Sequence, residues 1–273
     1  MGWRIFKYIQ HLFYRKHRKG HGIHSPYLFQ FVNGVVFNGD RVDVPETILR
    51  AHTDLRKERS FIPSADEKVF LGAQSKVDSK EVRTIQSFVR RSSVNKAQGA
   101  LLFRIVHWLN PEMIMELGTG LGVSTIYLAA GLGEDSDPHL GLFKVHTIEG
   151  DPARAVFSQE LFKRLGLNGV KVHCGDVEKK VKELAAQLPG RFLVFVDANH
   201  KYEPTLRYLR LFINATSEES LIVLDDIYWS KGMCRAWNEV ISWPEVRVSL
   251  DLFHMGILLL RKDLHKTHLK IKI

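Results

Sequence analysis

A short apolar segment runs directly into a glycine-rich turn and then a helical pattern. Residues 113–117 read Met-Ile-Met-Glu-Leu, and the turn is Gly118-Thr119-Gly120-Leu121-Gly122. Glycine adopts backbone angles that other residues avoid, and it leaves no Cβ between the main chain and a ligand. A helix beginning near Ser124 would point free amide N–H groups at the same place. The pattern predicts a strand-turn-helix unit that is either a ligand shelf or an ordinary tight turn.

The glycine spacing separates two kinds of nucleotide site. Dinucleotide-binding sheets carry the fingerprint G-x-G-x-x-G, whereas here the spacing is G-x-G-x-G and Val123 stands where the third glycine would be. NAD or FAD is therefore a poorer match than another nucleotide-type cofactor.

Short apolar segments alternate with helical segments from Asn95 onward, which predicts an α/β fold with a mostly parallel, doubly wound sheet. Seven strands are predicted, at residues 113–117, 144–149, 170–174, 192–196, 220–224, 246–251 and 255–261. The last two are joined near Phe253 and His254, which fits an antiparallel hairpin and is too short for a helical crossover. Residues 1–92 are predicted to be a helical, basic N-terminal cap, with helices at 27–37 and 82–91, and residues 93–273 the main domain.

Composition excludes several classes of protein. The 273 residues are 45% hydrophobic and 25% charged, which suits one large α/β domain with an appendage. No apolar run reaches the roughly 18 to 20 residues that span a bilayer, and the start of the chain lacks a signal-peptide apolar core, so we expect a cytoplasmic protein. Cys174 and Cys234 are too few for a disulfide framework and lack metal-ligand spacing.

The net charge of +9 is concentrated at the N-terminus, because residues 1–39 contain no acidic side chain. Basic and aromatic residues alternate there in a pattern compatible with a basic amphipathic helix. Such a surface suits RNA, an anionic membrane surface or an acidic substrate. The alternative is a solvated basic face whose aromatic side packs on the main domain.

A strand followed by this turn resembles motif I of class I S-adenosylmethionine-dependent methyltransferases, and a parallel sheet ending in an antiparallel strand resembles their Rossmann-like fold. The resemblance implies that S-adenosylmethionine (SAM) is the cofactor and runs beside the turn. Its contacts would come from the turn and the two following strand ends: Glu116, Gly118, Thr119, Gly120, Gly122, Ser124, Glu149, Gly150 and Asp176.

Two acidic residues at strand ends have specific predicted roles. The oxygens of Glu149 match the vicinal hydroxyls of a ribose, and its alternative role is that of an acid favoured by the dipole of the next helix. Asp176 lies in Gly-Asp-Val, which resembles the acidic motif beside adenine in this family. Its alternative role is to cap the helix that begins directly after it.

Three carboxylates follow the fourth and fifth predicted strands, at Asp197, Asp225 and Asp226. Like charges so close need a proton or a cation, and oxygen ligands favour Mg²⁺ or another hard divalent ion. The arrangement resembles metal-dependent O-methyltransferases, in which these positions bind the ion. Asp197 is also counted among the cofactor contacts.

The sequence that begins at Asp197 is Asp-Ala-Asn-His-Lys-Tyr-Glu. It resembles the motif of the branch that includes sugar O-methyltransferases more than that of the catechol enzymes. Asn199 stands where that branch commonly has an aspartate, which leaves His200 as the candidate base and Lys201 as the spare base. The alternatives are that His200 orders the loop and that Asp225 or Asp226 caps the next helix.

The predicted activity is SAM-dependent methylation of a small molecule, by divalent-metal-assisted transfer to oxygen. One alternative is an RNA methyltransferase that docks through the basic N-terminus. The other is a non-catalytic membrane-surface or scaffold protein on the same fold.

Overall fold

The structure, a computed structural model, describes residues 2–14, 22–62, 84–133, 143–188, 190–215 and 219–271. The chain divides into two compact units, one of Val42–Val181 and one of Met1–Arg41 with Lys182–Ile273. The proposed boundary between residues 92 and 93 stays a prediction. Within the described ranges, no helix has both the length and the apolar character needed to cross a bilayer.

In the part of the chain that the structure describes, only helices precede residue 113, helices and strands alternate over residues 113–240, and strands follow. The helices are α1 (Gly2–Tyr14), α2 (Pro26–Gln30), α3 (Glu46–Leu55), α4 (Ile85–Ser92), α5 (Lys96–Leu109), α6 (Val123–Gly131), α7 (Pro152–Arg164), α8 (Val177–Ala185), α9 (Tyr202–Ala215) and α10 (Lys231–Val240). The strands are β1 (Met113–Leu117), β2 (Val145–Glu149), β3 (Val170–Cys174), β4 (Phe192–Val196), β5 (Leu221–Asp225), β6 (Val248–Asp251), β7 (Met255–Leu259) and β8 (Thr267–Lys270). A π-helical segment, Phe31–Val36, continues α2.

In the unit Val42–Val181, three parallel strands lie in the order β3-β2-β1. Ile114 pairs with Val145, which pairs in turn with Val170. Parallel strands need crossover helices, and these cover the apolar faces of the strands. The carboxyl ends of β1 and β2 therefore lie side by side, and the glycine turn follows β1 at that edge.

In the other unit the strand order is β4-β5-β7-β6-β8. β4 and β5 are parallel and fully buried, whereas β7 runs antiparallel to both β5 and β6. The predicted antiparallel hairpin is thus confirmed, and so is the α/β fold class. Its connection contains Phe253, which has a left-handed φ of 70°, and Asp251 accepts a hydrogen bond from the Phe253 N–H at 2.9 Å.

The predicted count of seven strands is wrong, because an eighth strand follows the hairpin. β8 pairs in parallel with β6, from Val248 with Thr267 to Asp251 with Lys270, so the final strand is not antiparallel. It escapes prediction because it has four residues and carries one buried apolar side chain, Leu269. Short, charged strands are typical of sheet edges and give little periodic signal.

The N-terminal helices partly match the prediction. Segment 27–37 corresponds to α2 and its π-helical continuation, and segment 82–91 to α4, although residues 82 and 83 lie outside the described residues. Helix α3 was not predicted. It buries Ile48, His52 and Leu55 along one face, and the histidine and the neighbouring charges mask that apolar stripe in the sequence.

Candidate functional site

The glycine turn adopts left-handed backbone angles that favour glycine. Gly118, Gly120 and Gly122 have φ angles of 97°, 55° and 83°. Gly122 is the N-cap of α6, and a Cβ there would lie 2.7 Å from the ring of Phe162. No side chain caps this helix end. The start of α6 is therefore left without a side-chain cap among the described residues, and its role as a ligand shelf stays a prediction.

Glu149, at the end of β2, is tied to this turn. Its Oε2 accepts a hydrogen bond from the Gly120 N–H at 2.8 Å, and its Oε1 accepts one from the Asp151 N–H at 2.9 Å. Arg154 also reaches Oε1, at 3.1 Å. Burial raises the pKa of Glu149, although Arg154 and the two backbone donors oppose that rise. Since a carboxylate oxygen accepts about two hydrogen bonds, Oε2 retains capacity for a ligand hydroxyl.

Glu116 lies beneath the turn. It is fully buried, and its Oε2 accepts hydrogen bonds from the hydroxyls of Thr125 at 2.5 Å and Thr147 at 2.6 Å. Thr147 also lies 2.6 Å from the hydroxyl of Thr119. These contacts join β1, β2 and α6 in one network. The structure thus gives Glu116 a bracing position, and its predicted contact with the cofactor remains a prediction.

The remaining predicted contacts in this unit have different environments. Ser124 and Gly150 are buried beside the turn and at the end of β2. Asp176 is exposed, and its Oδ1 accepts a hydrogen bond from the Lys179 N–H at 2.9 Å at the start of α8. The capping alternative therefore describes the observed contact, and a contact between Asp176 and adenine stays a prediction.

In the other unit, the three predicted carboxylates follow β4 and β5. Asp197 comes directly after β4, Asp225 is the last residue of β5, and Asp226 follows it with a left-handed φ of 50°. The Asp226 N–H donates to the carbonyl of His254 at 2.6 Å, which fixes this strand end against the hairpin connection. The parallel pairing of β4 and β5 brings these strand ends to the same edge.

His200 forms an ion pair with Asp197, with its Nε2 3.3 Å from Oδ1. Burial lowers the pKa of His200, but the hydrogen bond with Asp197 and the charges of Asp197 and Asp226 outweigh it, so the pKa lies above its ordinary value. Burial raises the pKa of Asp197 despite its bond to His200. The left-handed φ of 38° at His200 marks a constrained loop of the kind found at functional sites.

Asp225 is the most strongly perturbed member of this cluster. Burial, followed by the charges of Asp197 and Asp226, raises the pKa of Asp225 well above its ordinary value. Its Oδ1 is buried, and it has no hydrogen-bond partner among the described residues. A carboxyl in this position is stabilised by a proton or by an added positive charge.

The positive charge at this cluster comes from Arg4 of α1. The Arg4 Nη2 donates to Asp226 Oδ1 at 2.8 Å, and its guanidinium lies 4.9 Å from the ring centroid of Trp229. Sequence reasoning missed Arg4, because 222 positions separate it from Asp226. The available signal was the acid-free N-terminus, whose basic side chains attract carboxylates.

Two of the three carboxylates that were predicted to bind a divalent ion are paired with basic side chains. Arg4 donates a hydrogen bond to Asp226, and His200 pairs with Asp197. In the described ranges, no group of three or more His, Cys, Asp or Glu side chains is placed to hold a metal. The predicted metal ligands lie at neighbouring strand ends, and their binding of an ion stays a prediction.

Other residues near the cluster have structural contacts. Asn199 donates through its side chain to the hydroxyl of Tyr208 at 2.6 Å, and Lys201 is exposed. Three residues after β5, Tyr228, Met233 and Trp237, are buried in the core. Trp229 is the aromatic residue of that segment that remains exposed beside Arg4.

Comparison with known proteins identifies a domain within the chain. A family profile described as a methyltransferase domain matches residues 115–227, which run from β1 through the glycine turn to the residues after β5. Residues 115–227 are a methyltransferase domain. The resemblance to class I SAM-dependent methyltransferases is therefore confirmed.

Curated relatives point to O-methyltransferases. This chain is 28% identical over 137 residues to a catechol O-methyltransferase from Niastella koreensis, and 29% identical over 145 residues to one from Mycobacterium tuberculosis. These alignments cover 50% and 52% of this chain and 58% and 60% of the relatives, so the chain spans less than two thirds of their length.

A solved structure confirms the fold. An O-methyltransferase from Streptomyces achromogenes involved in tomaymycin synthesis, solved in complex with SAM, matches with a TM-score of 0.56 and 18% identity. The match covers 83% of this chain and 95% of that protein. At this identity the likeness establishes the fold of the methyltransferase domain.

Proposed function

We propose that this protein transfers a methyl group from SAM to a hydroxyl oxygen of a small molecule. The observation that carries the proposal is the hydrogen-bonded pair of His200 and Asp197, which stands at a strand end of a methyltransferase domain. The names of the curated relatives support an oxygen acceptor, and catechols are the first compounds to assay. The choice between catechol-like and sugar acceptors stays a prediction.

The residues of the glycine turn fit SAM. Gly118, Gly120 and Gly122 put no Cβ between the main chain and a ligand, and Glu149 Oε2 retains capacity for a ribose hydroxyl. When bound, SAM supplies an electrophilic methyl group on a sulfonium that leaves as a neutral thioether, so no acid is needed for the leaving group. The protein then has to orient the acceptor oxygen and remove its proton.

His200 is the group proposed to take that proton. Its Nε2 faces Asp197, so the carboxylate orients the ring and stabilises the imidazolium that forms. Nδ1 is then the ring atom that accepts the acceptor's proton as the oxygen bonds to the methyl carbon. Lys201 remains the spare base, and its exposure leaves it in contact with solvent.

Cofactor binding tests the proposal directly. We expect calorimetry to show that the protein binds SAM, and that Glu149→Gln weakens binding about tenfold or more, since a hydrogen bond to a charged group is worth about 1.5 to 3 kcal/mol. Glu160→Gln is the matched control, because Glu160 is an exposed glutamate on α7. A wild-type protein that does not bind SAM would support the non-catalytic alternative instead.

Metal dependence provides a second test, because the sequence and the structure lead to different expectations. With Arg4 on Asp226 we expect EDTA to change the methylation rate by less than about twofold, and titration of Mg²⁺ to show no binding. Loss of activity in EDTA that Mg²⁺ restores would show that Asp197, Asp225 and Asp226 hold an ion after all.

A further inference from the structure

Helix α1 is held in place by its polar side. Besides the bond from Arg4 to Asp226, the ring of His11 lies 3.4 Å from Asp251 through Nδ1 and 3.3 Å from the carbonyl of Ile271 through Nε2. The ring of Tyr8 packs edge-on against Phe253, with centroids 4.9 Å apart. Arg4, Tyr8 and His11 recur at helical spacing, so they share one face of the helix.

The opposite face of α1 is apolar and open to solvent. Ile5, Phe6, Ile9 and Phe13 are 54%, 56%, 45% and 82% exposed, and they cover an arc of roughly 100°. A helix on a globular protein normally buries its apolar face and exposes its polar one. Here the arrangement is reversed, contrary to the expectation that the aromatic side would pack on the main domain. Because Arg4 and His11 are anchored inward, this apolar face stays outward.

The charge of the surrounding sequence identifies the partner. Residues 1–39 contain no acidic side chain, and Arg15, Lys16, Arg18 and Lys19 come directly after α1 in the sequence, outside the described residues. An apolar helical face beside a basic run is the composition of helices that lie in the interface of anionic membranes. Exposed clusters of this kind mark interaction sites, unlike single scattered apolar residues.

RNA and a second copy of the chain fit less well. RNA would need basic side chains on the outward face of α1, whereas Arg4 points inward and the outward face offers Ile5, Phe6, Ile9 and Phe13. A second copy would bring two acid-free basic segments together, and their like charges would repel.

We propose that α1 docks this protein on an anionic lipid surface, with Ile5, Phe6, Ile9 and Phe13 inserted among the lipid headgroups. The basic residues that flank α1 add electrostatic attraction to the lipid phosphates. Docking requires no rearrangement of the contacts that Arg4, Tyr8 and His11 make, because these lie on the other face of the helix.

Vesicle sedimentation with the full-length protein tests the proposal. We expect binding to vesicles of phosphatidylcholine with phosphatidylglycerol, and weak binding to phosphatidylcholine alone. The variant Phe6→Ser/Phe13→Ser should bind the mixed vesicles about tenfold or more weakly, because it lacks two aromatic side chains that would move from water into the lipid. The control, Phe61→Ser/Val156→Ser, removes two other exposed apolar side chains and should bind as the wild type does.

The outcomes separate the candidate partners. Thermal unfolding and SAM binding should match the wild type in every variant. Membrane attachment does not depend on methyl transfer, so a failure of one leaves the other unaffected. Equal binding to both vesicle types, or no binding to either, would overturn it. It would also be overturned if Phe6→Ser/Phe13→Ser changed only the dissociation of a dimer in ultracentrifugation, or only RNA binding in an anisotropy titration.

Discussion

Replacing His200 by glutamine is expected to lower kcat by about 10² to 10⁴, the usual contribution of a positioned general base. Glutamine keeps a polar group near Asp197 but cannot take the acceptor's proton. The affinity for SAM should stay unchanged, because the predicted contacts of His200 are with the acceptor. Single-turnover rates with an acceptor that supports methylation, together with calorimetry on SAM, check both parts.

The pH profile distinguishes a base from a residue that only orders its loop. Neutral His200 is the active form, and its pKa is raised, so kcat should fall as the pH drops through a value above 6.5. Asp197→Asn removes the main group that raises this pKa, and should therefore move the acidic limb to lower pH while lowering the maximum. His265→Gln, at an exposed histidine, is the matched control. An unchanged acidic limb in Asp197→Asn would contradict the assignment of His200 as the base.

The strand-end residues could be predicted because their placement follows from local patterns. Apolar segments of five residues separated by helices predict parallel strands, and parallel strands bring their carboxyl ends to one edge. This reasoning located Gly118 to Gly122, Glu149, Asp197 and Asp225 at strand ends. Their hydrogen bonds were less predictable, because Glu149 and Asp176 each carry a local role beside the one assigned by resemblance.

The contacts of α1 could not be predicted from the pattern of its sequence. Amphipathic periodicity predicts that Phe6 and Phe13 face the protein, and the structure places Arg4 and His11 there instead. The deciding partners, Asp226 and Asp251, lie more than two hundred residues away and attract the basic face of the helix. Asp251 is fully buried and Asp226 is partly exposed, and their pairing with His11 and Arg4 holds the basic face of the helix inward.

Acidification is expected to destabilise the unit Val42–Val181 through His52. This side chain is fully buried, and its Nδ1 lies 2.8 Å from the hydroxyl of Tyr127. Burial, helped by the charges of Arg56 and Lys96, lowers the pKa of His52 from 6.5 to about 4. Between pH 6.5 and about pH 4, His52 is protonated in the unfolded chain and neutral in the folded chain.

The free energy of unfolding should therefore fall by up to about 3 kcal/mol between pH 6.5 and pH 4, and Tm should fall with it by several degrees. His52→Gln keeps a polar partner for Tyr127 but does not titrate, so it should flatten this pH dependence whatever offset it adds at neutral pH. His107→Gln, at an exposed histidine on α5, should leave the slope of the wild type unchanged. Urea unfolding at pH 7.5, 6 and 5 gives the three slopes, and a slope in His52→Gln equal to the wild type's would show that His52 is not the titrating group.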